Sequence, residues 1–206
     1  VAETSCNNCH YKLNAHGGAR NNPEYCVLCH NPNQPGDERI ARLESTTVTT
    51  ESLDFRVFIH KIHMGEELTQ PYILGAFPAP SKANPAGTPV DFGEVRFPGD
   101  RKACWTCHTG ESYMLPLPSG TLPSKLQTLA CTEDPAADAD SYCDVRVVQS
   151  EKLLYPETAA CTSCHDAPAV VAHAETTTTA SGLEACATCH GAGKDYDVQR
   201  MHQPAP

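Results

Sequence analysis

The sequence predicts a mainly irregular and α-helical fold, with short helices, long loops and little sheet, and three observations predict it. Hydrophobic residues make up 40% of the 206 positions but aromatics only 6%, and the apolar count includes twelve cysteines. That supply is thin for a chain of domain length, so something other than apolar side chains has to fill the interior. Proline and glycine interrupt the chain repeatedly: "TQPYILGAFPAPSKANPAGTPVDFGEVRFPGD" and "MLPLPSGTLPS" read as loop, with at most short strand pieces near residues 90–97. Finally, two cysteines three apart, followed at once by histidine, recur five times.

The five copies are Cys6/Cys9/His10, Cys26/Cys29/His30, Cys104/Cys107/His108, Cys161/Cys164/His165 and Cys186/Cys189/His190. Cys-x-x-Cys-His is the spacing of c-type haem attachment. The two thiols add across the haem vinyl groups, and the short loop leaves the histidine beneath the iron as its proximal ligand. Rival uses of paired cysteines fit less well. A zinc ribbon does not need a histidine after every second cysteine. Redox Cys-x-x-Cys pairs occur singly in a thioredoxin-like context. Iron–sulfur clusters take cysteines in fours or in ferredoxin spacings. Five covalently attached haem c groups are therefore expected, and the fold class becomes a multihaem cytochrome c whose short helices and long loops wrap round them.

Five of the ten histidines are proximal ligands, which leaves His16, His60, His63, His173 and His202. The spare imidazoles equal the irons in number, so the expectation is histidine on both faces of every iron. Methionine is the other common axial ligand. Of Met64, Met114 and Met201, two adjoin a spare histidine, and Met64 and Met201 read as soft side chains packed on a porphyrin. The last two cysteines, Cys131 and Cys143, bracket "TEDPAADADSY" and are expected to form a disulfide, because haem attachment in bacteria takes place outside the cytoplasm, in an oxidising compartment. Closing so short a loop contributes on the order of 3 kcal/mol in the chain-entropy model.

Residues 1–64 hold two attachment motifs and three spare histidines, and residues 101–202 hold three motifs and two. If every iron is closed within one chain, a distal ligand of the first cluster must reach an iron of the second. That crossing makes residues 1–206 one domain. Its best candidate is "SLDFRVFIHKIH", linking the clusters over residues 52–64. There Phe55, Phe58, Ile59 and Ile62 mark one apolar helical face, Ser52 or Asp54 caps the start, and Gly65 stops the helix. His60 and His63 project from one side of it a turn apart, and so serve two different haems. A second helix is expected at "DAPAVVAHAE", leading into His173 and broken by "TTTTASG". Without haem, too little apolar side-chain surface is left to offset chain entropy, and no stable fold is expected.

Charge and hydropathy narrow the partners. The formal net charge of -10 disfavours nucleic acid, which needs a basic face, and favours a basic partner or a cation-rich mineral surface. No apolar run approaches the roughly 18 residues of a transmembrane segment. The start, "VAETSCNNCH", lacks a charged end followed by an apolar stretch, so either a signal peptide has been removed or the sequence is an excerpt. An iron closed by two imidazoles has no site for substrate, which points to electron transfer instead of enzyme catalysis. Known pentahaem nitrite reductases use an attachment motif ending in lysine, and that motif does not occur here. Alternatives are a periplasmic shuttle to a reductase and an extracellular filament in which His202, near the end of the chain, ligates a haem of the neighbouring copy.

Five ordered segments, "HGGARNNPEYCVLCHNP", "FIHKIHMGEEL", "FPGDRKACWTCH", "AACTSCHDAPAVVAHA" and "ACATCHGAGKDYDVQRMH", together resemble the carboxy-terminal pentahaem domain of the OmcA/MtrC family of outer-membrane decahaem cytochromes. The resemblance implies bis-histidine ligation throughout, with His16, His60, His63, His173 and His202 as distal ligands. It also implies closely spaced haems in a branched chain, a cell-surface or extracellular location, and electron delivery to metal oxides, flavins or other cytochromes. Members of that family carry ten haems in two pentahaem domains alternating with β-barrel domains. Five motifs leave open a stand-alone cytochrome, one module of a longer chain, or one subunit of an assembly.

Overall fold

Prolines and short acceptor side chains start the helices of this chain, as a computed structural model shows for the residues it describes, 1–37, 47–75, 89–132 and 145–203. The helices are α1 (Glu3–Asn7), α2 (Pro23–Cys29), α3 (Phe55–Met64), α4 (Pro156–Thr162), α5 (Pro168–Thr176), α6 (Ala187–His190) and α7 (Val198–Met201). Pro23, Pro156 and Pro168 occupy first positions, where the missing N–H costs nothing. Asn22 accepts from the Glu24 N–H (2.8 Å) and Asp197 from the Gln199 N–H (2.8 Å).

The expected linking helix is α3. Of its two candidate caps, Asp54 takes the Arg56 N–H (3.2 Å), while Ser52 Oγ accepts the Asp54 N–H (3.2 Å). Gly65 ends the helix at φ +48, and a Cβ there would lie 2.1 Å from the Val95 carbonyl oxygen. Both the left-handed backbone and that contact require glycine. Replacing Gly65 with alanine is expected to destabilise the haem-loaded protein by about 2–4 kcal/mol, read as a lower urea midpoint at unchanged slope.

The expectation of a mainly helical and irregular chain with little sheet is corrected: the architecture is mixed α and β, with two antiparallel sheets. Strand β1 (Val48–Thr49) pairs with β4 (Ser124–Thr132), and β4 pairs in turn with β5 (Val145–Leu154). A small second sheet joins β2 (Ile73–Leu74) to β3 (Val90–Asp91), the latter within the stretch expected to hold strand pieces. The β4–β5 hairpin had the sequence of a strand pair all along. Val147 and Val148 favour extended backbone, Ser124, Gln127 and Leu129 of β4 are buried, and the register shift between Thr128 and Leu129 leaves Gln149 of β5 without a ladder partner. The expected disulfide between Cys131 and Cys143 cannot be placed, since Cys143 lies outside the described residues.

Apolar packing is sparse. Among the described residues the buried hydrophobic side chains are Val57, Tyr72, Leu74, Leu115, Leu129, Ala159 and Ala174, whereas twice as many large hydrophobics are exposed. The α3 stripe of Phe55, Phe58, Ile59 and Ile62 is only half-buried, and α5 buries Ala174 alone. Polar contacts do much of the joining. Tyr72 donates its hydroxyl to the Ser52 carbonyl (2.8 Å) under α3, and α3 packs on α4, which packs on α5.

Candidate haem-binding sites

All five Cys-x-x-Cys-His segments adopt one local shape. In each, the histidine N–H donates to the carbonyl of the first cysteine, at 2.9 Å for His10, 2.8 Å for His30, 2.9 Å for His108, 2.8 Å for His165 and 2.9 Å for His190. The ten thiols are free, and none is tied into a disulfide. In four of the turns the first cysteine is half-buried while the second, Cys9, Cys29, Cys107 or Cys189, is exposed. The Cys189 carbonyl accepts the Tyr196 N–H (3.3 Å), which holds the fifth turn against the loop that follows it.

Burial pushes Cys161 up to about 11 and Cys164 and Cys186 up to about 12, with the Glu157 and Glu184 carboxylates adding to Cys161 and Cys186, and neighbouring cysteines to Cys164. Among the described residues no three His, Cys, Asp or Glu side chains gather into a metal cluster.

Each proximal ring faces one spare ring. The centroids are 6.1 Å apart for His10 and His63, 6.2 Å for His16 and His30, 5.9 Å for His60 and His108, 5.9 Å for His165 and His202, and 6.4 Å for His173 and His190. Two metal–imidazole bonds of about 2 Å, with each centroid about 1.1 Å beyond its nitrogen, require roughly 6 Å between centroids. No ring is shared and none is left over. His60 alone crosses from the first cluster to the second, and His63, one turn on, stays within the first. His202 lies beside His165 of its own chain.

Hydrogen bonds fix the rings. His30 Nδ1 donates to the Leu53 carbonyl (3.0 Å), His63 Nδ1 to that of Ile59 (2.7 Å), His190 Nδ1 to that of Tyr196 (3.0 Å) and His202 Nδ1 to that of Val198 (2.8 Å). A carbonyl only accepts, so the proton is on Nδ1 and Nε2 carries the lone pair a metal needs. His108 Nδ1 pairs with Ser112 Oγ (3.0 Å). Burial, followed by the neighbouring His108, pulls His60 down to about 4 and keeps it neutral, the ligating form. Phe58 stacks on His30 at 4.7 Å and Phe97 meets His63 edge-on at 5.8 Å. His16 is the described non-glycine residue with positive φ (50°), a strained backbone of the kind found at functional sites.

The sequence reading missed these second partners. For His63 and His202 the signal was available, since a helical histidine reaches the carbonyl four residues back. His108 and His190 find theirs four and six residues on, at Ser112 and Tyr196, and His30 reaches a distant one, Leu53. It also missed Asp166, whose carboxylate accepts the Thr69 N–H (3.0 Å) and the Gln70 N–H (2.7 Å), tying the loop after α3 to the fourth motif. Asp166→Asn keeps one acceptor oxygen of two and is expected to cost about 1.5–3 kcal/mol in chemical denaturation.

The surroundings fit haem. A cavity of about 330 Å³ is walled by Val27, His30, Phe55, Arg56, Ile59, His60 and His108. Exposed Val27 and Leu28, Trp105, and Val170 (one turn before His173) adjoin the motifs or their facing rings, where a porphyrin would cover them. The attachment turns also neighbour one another. Burial raises Cys6, and charge on Cys107 and Cys26 adds to it; burial raises Cys107 and Cys164, to which Cys9 and Cys104 respectively add; Cys161 adds to the rise of Cys186.

Repeated Cys-x-x-Cys-His turns, each with its histidine opposed by a second imidazole, are the marks of a c-type cytochrome. The chain belongs to the MtrC/MtrF-like family of outer membrane cytochromes: the model of that family's domains II/IV matches residues 1–203. No curated protein and no solved structure matches the chain. Membership makes it a haem-carrying electron-transfer protein, exported to the cell surface. No described helix is long and apolar enough to cross a membrane.

Proposed function

We propose that the chain is a pentahaem conductor in which ten imidazoles close five irons, two to each, and electrons pass between neighbouring haems to an acceptor outside the cell. The observation that carries it is the one-to-one facing of proximal and spare histidines at 5.9–6.4 Å. When bound, the haems supply one-electron chemistry at iron. The chain's own residues do the rest. The cysteines of each turn, from Cys6 and Cys9 to Cys186 and Cys189, hold a porphyrin edge. The Leu53, Ile59, Tyr196 and Val198 carbonyls orient imidazoles and raise their basicity, which favours the oxidised metal and a low potential.

The proximities among Cys26, Cys6, Cys107, Cys104, Cys164, Cys161 and Cys186 support a continuous run of attachment sites, second to first to third to fourth to fifth. Helix α3, through His63 and His60, joins the first site to the third and makes residues 1–206 one cooperative unit. Closed irons favour outer-sphere exchange with other cytochromes, flavins or metal oxides over substrate binding. The formal charge of -10 favours cationic surfaces and makes association salt-sensitive. Intact mass with a haem-to-protein ratio tests the reading, together with electron paramagnetic resonance. Five haems, all low-spin, are expected. Fewer haems, or an iron with a vacant or water-filled position, rejects it.

A further inference from the structure

Arg56 stands in the candidate site without belonging to the ligand set. It precedes His60 by one turn of α3, and both line the cavity with His30 and His108. All its side-chain hydrogen bonds leave from one nitrogen. Nη2 donates to Asp54 Oδ2 (2.8 Å), to the Leu122 carbonyl (2.9 Å) and to Ser124 Oγ (3.1 Å). Nε is buried with no partner, and Nη1 makes no hydrogen bond among the described residues. Asp54 is itself buried and already accepts the Arg56 N–H and the Ser124 hydroxyl, and Ser124 is fully buried on β4. The guanidinium is thus clamped at one end where α3 meets the sheet, with Nε and Nη1 uncommitted on a residue that lines the cavity.

An unpaired buried donor costs on the order of 1–3 kcal/mol, more when charged. Compensation has to come from whatever fills the cavity, and an arginine in this position selects an oxygen anion, above all a carboxylate. Haem brings two such groups on one edge. We propose that Arg56 binds a propionate of the haem attached at Cys104 and Cys107, between His60 and His108, as a positioning residue pinned by Asp54, Ser124 and the Leu122 carbonyl. The proposal rests on the ligand assignment above. The cation beside the propionate lowers that carboxylate's pKa and favours the reduced iron. Without it, Asp54 and the propionate stand uncompensated beside that iron.

Redox titration of the haem-loaded full chain tests this, comparing wild type with R56Q and R56K. In R56Q one of the five midpoint potentials is expected to fall, and the pH at which that haem's potential responds to propionate ionisation to rise by about one unit or more. R56K is expected to restore most of both. An R56Q protein less stable to heat but with five unchanged potentials overturns the proposal, since that is what a purely structural arginine gives. Should R56Q fail to fold, an experimental structure of the wild-type holoprotein decides. Arg56 Nε or Nη1 within hydrogen-bond reach of a propionate oxygen supports the proposal, and a gap beyond about 4 Å overturns it. Five low-spin haems with Arg56 far from any propionate remove this inference alone, whereas a missing haem at Cys104 and Cys107 removes the ligand assignment with it.

Discussion

If ten imidazoles close five irons as proposed, replacing His60 with alanine is expected to convert one low-spin haem in five into a high-spin haem that binds carbon monoxide, and to destabilise the protein by on the order of 2–4 kcal/mol. The ring lies 5.9 Å from His108 and nearly parallel to it, at 18°. Burial holds it neutral far below physiological pH, so it is ready to ligate without losing a proton. Nothing replaces it, because each other spare histidine faces a different proximal ring. His63→Ala opens the Cys6/Cys9 haem instead and leaves the Cys104/Cys107 haem closed. Carbon monoxide difference spectra, with one equivalent bound per chain against none in wild type, check the result. A His60→Ala protein that stays wholly low-spin and inert to carbon monoxide rejects the pairing of His60 with His108. The stability loss has its own cause: His60 is the spare ring that crosses between the clusters, so the variant unties α3 from the third motif and leaves a cavity behind.

How far the sequence spoke depends on the range of the interaction. Cys-x-x-Cys-His is a local constraint, and five residues suffice to set its turn, so all five motifs were readable. Helix α3 was readable for the same reason, since its period, Asp54 and Gly65 are contiguous. The count of spare histidines limited the pairing to one distal ring per motif, and the imbalance between clusters required a crossing. Which ring meets which motif depends on chain paths of up to tens of residues, so proximity in sequence did not decide it: His16 is nearer in sequence to His10 but faces His30. The β4–β5 hairpin was passed over because its middle, residues 133–144, is polar and the flanking cysteines drew the reading toward a pinned loop. Its valines were the stronger signal. The Arg56–Asp54–Ser124 contact joins positions about 70 residues apart, and no local pattern marks it.

Expressed without haem attachment, the chain is expected to show no cooperative thermal transition, little near-ultraviolet circular dichroism and rapid proteolysis across residues 1–203. Ordinary domains survive loss of a cofactor when an apolar core remains. Here the buried apolar side chains of the described residues include two alanines and are scattered over α3, the loop after it, β2, the loop before β4, β4, α4 and α5, so no one cluster closes round itself. The α3 stripe is only half-buried and α5 is largely exposed apart from Ala174, so the apolar surface they offer is stabilising only with a porphyrin against it. Helices as short as α1, α6 and α7 are far below the length that holds in water unaided. The β4–β5 hairpin is the part most able to keep residual structure, because its ladder of backbone hydrogen bonds is local and needs no haem. Pulse-labelled hydrogen exchange separates the two outcomes: protection confined to residues 124–132 and 145–154 agrees with a haem-built core, and protection spread over α3 to α5 in the haem-free chain overturns it.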